Sequence, residues 1–102
     1  MTTDPARIRR EHLRWNCLLT LNNARPIGAF CESLLAVAQA VYPDATSLEV
    51  RQALDYLEAR DLVEIDRQPH GRWHVKLSRY GIDIAEYTVS CEPGIARPEK
   101  YW

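Results

Sequence analysis

Between Thr46 and Leu77 the hydrophobic pattern changes its period, and few architectures accommodate that change within so short a stretch. Thr46-Ser47-Leu48-Glu49 has the form of a capping box. The threonine is placed to accept from the first free amides of a helix, and the glutamate three positions on is placed to reach back. Ala45 and Val50 stand where a hydrophobic staple puts its two apolar residues. Val50, Ala53, Leu54 and Leu57 then recur at i, i+3, i+4 and i+7, which gives a helix one buried face and an end near Arg60-Asp61. After Leu62 the period falls to two. Val63 and Ile65 alternate with Glu64 and Asp66, and Trp73, Val75 and Leu77 alternate with His74 and Lys76. The intervening Arg67-Gln68-Pro69-His70-Gly71-Arg72 is rich in turn residues and closes a β-hairpin with a basic tip.

The preceding sequence supplies two more helices. Asp4-Pro5 is a start signal, because aspartate caps free amides and proline fits the first helical position. Ile8, Trp15, Leu18, Leu19 and Asn22 fall near one face of a helix over 5–23, widened by Leu13, Cys17 and Leu21. A second helix is predicted over 29–41, with Cys31, Leu34, Leu35, Ala38 and Val41 at helical spacing and Pro43 to stop it. Pro43-Asp44-Ala45-Thr46 is the short turn to the third helix. Ser78-Arg79-Tyr80-Gly81 leads into a fourth, with Tyr80, Ile84 and Tyr87 on one face. The expected organisation is one α+β domain over 1–90 and an irregular tail over 91–102. Ile95, Tyr101 and Trp102 of the tail are expected to pack on the domain or on a dimer partner.

Composition narrows the function classes. A chain of 102 residues suits one core, and its apolar stretches fall short of the roughly 20 residues that cross a bilayer, so no membrane partner is expected. With no signal-like start, a cytoplasmic setting is expected. Cys17, Cys31 and Cys91 are odd in number and widely spaced, without a pair of the zinc-binding or thiol-exchange kind. His70 and His74 are four apart but on a hairpin, where that spacing does not converge on a metal. No nucleophile motif, phosphate loop or carboxylate pair is present, so neither catalysis, cofactor nor metal is expected. Net charge is −1, yet its distribution is uneven. Residues 1–25 hold five arginines against Asp4 and Glu11, and 63–80 hold four bases against Glu64 and Asp66. Residues 26–62 hold two arginines against six acids. A surface for nucleic acid has to lean on the first helix and the hairpin.

The order helix, helix, turn, helix, hairpin, helix resembles the winged helix-turn-helix family of DNA-binding domains. The resemblance covers about residues 8–87 and rests on SLEVRQALDYLEARDLVEI followed by a hairpin closing at WHVKLSRYG. Many such regulators carry a capped helix, Leu-Glu-x-Arg-Gly-Leu, and a wing ending in Leu-Thr-x-x-Gly; here Asp61 replaces the usual glycine and Ser78 the threonine. The tail GIARPEKYW and the small size also look like short winged-helix proteins of Mu-like prophages. The family resemblance implies a three-helix core with a two-stranded wing, and sequence-specific binding of double-stranded DNA as a homodimeric transcriptional regulator. It puts the third helix in the major groove through Ser47, Arg51, Gln52 and Tyr56, and the wing on backbone or minor groove through Arg67, His70 and Arg72. Arg7, Arg9, Arg10 and Arg14 are candidates for backbone contacts.

A second reading stands beside this one. The face of the third helix opposite its core residues carries Leu48, Gln52, Asp55 and Ala59, and Asp55 with Glu58 meets phosphates unfavourably. That surface suits a protein-interaction or dimerisation module without DNA binding, using the third-helix face or the Tyr101-Trp102 tail.

Overall fold

The computed structural model describes residues 4–101; Trp102, expected in the tail contact, lies outside the described residues. The chain runs α1 (Pro5–Asn23), β1 (Ala29–Phe30), α2 (Cys31–Val41), α3 (Ser47–Ala59), β2 (Val63–Arg67), β3 (Trp73–Leu77) and α4 (Arg79–Ala85). This is an α+β architecture of four helices and one three-stranded antiparallel sheet in the order β1-β3-β2.

Three of the four helices begin where the sequence provides a side-chain acceptor, and α2 begins after Phe30 without one. Asp4 takes the Ala6 amide at 3.0 Å ahead of Pro5, Thr46 takes that of Glu49 at 3.2 Å, and Ser78 takes that of Gly81 at 3.0 Å. The capping box of α3 is only half made. Glu49 does not reach back to Thr46 but grips Arg9 of α1, at 2.6 and 2.9 Å, because a full charge nearby outcompetes a backbone amide. Behind α3, Leu57, Leu54 and Val50 are fully buried with Leu13, Leu18 and Leu21 of α1 and Leu34 of α2, so three helices share one core.

The second helix starts two residues later than its periodicity predicts. Ala29 and Phe30 form β1 and pair with Val75 and His74 of β3, which makes the sheet three-stranded rather than a two-stranded wing. Gly28 permits this. Its φ of 83° is open to glycine, and a Cβ there would collide with the Val75 carbonyl oxygen. In the hairpin, Val63 faces Leu77, Ile65 faces Val75 and Arg67 faces Trp73, so one face of the alternation closes on the core.

Some expected faces are rotated. In α1 the buried set is Leu13, Trp15, Cys17, Leu18 and Leu21, whereas Ile8 and Leu19 are exposed. Val41 closes α2 exposed rather than packed, since the chain turns away at Tyr42. In α4 the buried stripe is Gly81, Ile84 and Ala85, and Tyr80 points outward. Gly81 is required there, because a Cβ would collide with the Leu62 carbonyl oxygen.

The described tail residues, 91–101, form no helix or strand and lie on their own chain. Arg14 donates to the Gly94 carbonyl at 2.8 Å, the Ala96 amide donates to that of Glu11 at 3.1 Å, and Arg97 donates to those of Ile84 and Val89. Ile95 is buried, while Tyr101 is exposed. No described helix is long and apolar enough to cross a membrane.

Candidate nucleic-acid interface

The turn between α2 and α3 is held from both sides. The Ala45 amide donates to the Tyr42 carbonyl at 2.9 Å, and the Gln39 side chain donates to the Ala45 carbonyl at 3.0 Å. Arg9 adds a tie from α1, with its guanidinium on Asp44 and Glu49 and 4.6 Å above the Tyr42 ring. Hydrogen bonding to Glu49 and Asp44 raises the pKa of Arg9 further. The start of α3 is thereby fixed relative to α1 and α2. Ser47 and Gln52 are exposed on it, and Arg51 is half-buried.

Arg51 reaches across to the hairpin. Its guanidinium donates to the Gly71 carbonyl at 2.6 Å and lies 4.8 Å from the centre of the Trp73 ring. The connection of the hairpin is a closed turn, with Gln68 bonded to Arg72 at 2.9 Å and Gly71 to Gln68 at 3.0 Å. Arg51 therefore joins the start of α3 to the exposed tip at His70, Gly71 and Arg72, while Ser47 and Gln52 are exposed on the same helix and Gln52 lines a cleft toward α1.

The two hairpin arginines are engaged within the molecule. Arg67 donates to both carboxylate oxygens of Glu58, at 2.9 and 3.0 Å, and to Asp55 at 3.0 Å, with its guanidinium 4.5 Å from the Trp73 ring centre. Arg72 donates twice to Glu32 of α2, at 3.0 and 2.9 Å, and lies 3.8 Å over Phe30. Arg67 holds Glu58 below the usual carboxylate range through these hydrogen bonds, and Arg67 is raised in turn by Glu58. Neither partner was visible in the sequence, which gave the basic tip and the acidic helix face as separate features. Trp73, on the apolar side of the strand alternation, is half-buried and has the guanidiniums of both Arg51 and Arg67 near its ring.

Tyr56 meets α1 and the tail instead. Its ring lies 3.5 Å from the Arg14 guanidinium and 4.7 Å from that of Arg60, and a Cβ on Gly94 would collide with its hydroxyl. The tail thus reaches the side of α3 that carries Tyr56. Burial lowers the pKa of Arg14, whose hydrogen bond goes to the tail. Of the other α1 cations, Arg7 is 3.7 Å from Glu11, and Arg10 lines a small cleft with Arg14, Glu49 and Gln52 between α1 and α3.

No family model matches the chain, and no curated protein matches it. A solved structure does. A protein of Ralstonia eutropha, described as a "putative DNA-binding protein", superposes with a TM-score of 0.64 at 20% identity, over 87% of this chain and 100% of that chain. At this identity the likeness defines a shared fold.

Proposed function

We propose that the protein binds double-stranded DNA, with the N-terminal half of α3 in the major groove and the β2–β3 hairpin alongside. The observation that carries this reading is the bond from Arg51 of α3 to Gly71 at the hairpin tip, which sets the exposed start of α3 beside the hairpin. A helix fits the major groove, and its first turns present side chains to base edges while a flanking loop meets the backbone. On this reading α2, its turn and α3 are the helix-turn-helix, and β2–β3 with β1 is the wing. The description of the Ralstonia protein, which shares the fold, points the same way. Arg51 is the candidate for guanine and Gln52 for adenine, since each presents two matched hydrogen-bonding positions. A two-fold pair of chains reading two half-sites makes the binding sequence-specific, as a small transcriptional regulator requires.

Selection of duplexes from a random pool, followed by competition anisotropy on the enriched site, tests the reading. Gln52→Ala is the cleaner variant, because Gln52 is exposed and Arg51 also braces the hairpin. It is expected to cost about 1–3 kcal/mol on the selected site and to relax preference at one position. A pool that shows no enrichment and no salt-sensitive binding refutes it. The second reading, a protein-contact module, is favoured by Leu48, Val41 and Val37, which are 66%, 50% and 41% exposed around the same turn.

A further inference from the structure

Both hairpin arginines show the same arrangement. Arg67 is stacked on Trp73 and paired with Asp55 and Glu58 of α3; Arg72 is stacked on Phe30 and paired with Glu32 of α2. Arg67 meets the two oxygens of Glu58 through two N–H groups at 2.9 and 3.0 Å, the fork with which arginine also grips a phosphate, and Arg72 places two N–H groups on one oxygen of Glu32 at 3.0 and 2.9 Å. Asp55 and Glu58 are neighbours at i, i+3 with like charge, an arrangement unfavourable on a helix until a cation bridges them. The side chains of Arg67, Asp55 and Glu58 are 44%, 57% and 37% exposed, so solvent screens these pairs and the bond is weak enough to exchange.

Resting on the reading that α3 and the hairpin meet DNA, we propose that these carboxylates are internal phosphate surrogates. They latch the hairpin arginines onto the helices in the free protein, and a duplex engages the hairpin by replacing them with its own phosphates. The aromatic rings keep each guanidinium in place during the exchange, since stacking on Trp73 or Phe30 is compatible with either partner. The latch sets how much of the hairpin's charge a duplex can use. It also suppresses non-specific binding, because a loosely placed duplex does not offer a phosphate where the carboxylate sits.

A thermodynamic cycle separates the latch from simple loss of negative charge. Wild type, Asp55→Asn/Glu58→Gln, Arg67→Ala and the triple variant are titrated with a random-sequence duplex at several salt concentrations, with folding checked by circular dichroism. Opening the latch is expected to tighten binding about two- to fivefold and to steepen the salt slope by about one ion. Arg67→Ala alone changes affinity little, whereas in the opened background it removes the gain. A gain that persists without Arg67, or no gain at all, overturns the latch while leaving DNA binding in place. Absence of binding by all four proteins overturns the latch and the function together. The pair Glu32→Gln and Arg72→Ala gives a second cycle on α2, which decides the question if the α3 variants are unstable.

Discussion

Replacing Asp61 with glycine should stabilise the protein, and the reason lies in how α3 ends. The Asp61 amide donates to the Glu58 carbonyl at 3.0 Å and the Leu62 amide to that of Leu57 at 2.9 Å. Leu57 and Leu62 are both buried, and Asp61 itself has φ 61°. This is a Schellman ending, in which the residue after the C-cap adopts the left-handed region and is usually glycine. A residue with a Cβ gives up about 1–2 kcal/mol there, aspartate at the low end. A carboxylate at a helix C-terminus costs about 0.3–1 kcal/mol more. Glycine's greater freedom in the unfolded chain offsets about 0.5–1 kcal/mol. The net gain is about 0.5–1 kcal/mol, which corresponds to about 2–6 °C in Tm for a domain of this size. Thermal and urea unfolding by circular dichroism read it, with an unchanged urea slope as the check that only stability moved. Asp61→Val serves as the opposite arm and should lose stability. A glycine variant less stable than its parent refutes the argument, and would mean that the Asp61 side chain contributes more than its backbone strain removes.

Gly81→Ala should destabilise by about 1–3 kcal/mol in the same unfolding experiment, because the added methyl meets the Leu62 carbonyl and α4 has to shift. Glu58 has a depressed pKa in the folded protein, so its contribution is present above the ordinary value of 4.5 and is lost as pH falls through the lower folded value. Glu58→Gln should therefore flatten the fall in stability below about pH 4.5, as followed by urea midpoints across pH. Burial pushes the Cys17 thiol up to about 12 and raises Cys31 and Cys91 as well. Alkylation of the native protein at neutral pH, read by mass spectrometry, should label half-exposed Cys91 first and Cys17 only on unfolding.

Local chemistry was legible in the sequence; partners distant along the chain were not. Asp4-Pro5, Thr46 and Ser78 each mark a helix start because a cap is made by residues close in sequence. The hairpin was readable because alternation is a local pattern and its register follows from the turn. β1 escaped because Ala29-Phe30 is two residues long and is defined by backbone bonds to β3, which leave no period; Gly28 was its one local signal. The acidic stripe Asp55/Glu58 and the basic hairpin were each visible, and their opposite signs were the available hint that they meet. The contact of Tyr56 with the tail left no local signal, because Gly94 arrives from 38 positions away in the chain.

The central claim is that the start of α3 and the hairpin form one DNA-binding edge, and amide chemical-shift mapping tests it most directly. Uniformly labelled protein is titrated with a short duplex at low salt and the perturbed amides are assigned. The account predicts the largest shifts at 47–52 and 67–72, falling away as salt rises. Shifts confined to the tail or to α4, or none at the lowest salt, contradict it and transfer the same edge to a protein partner.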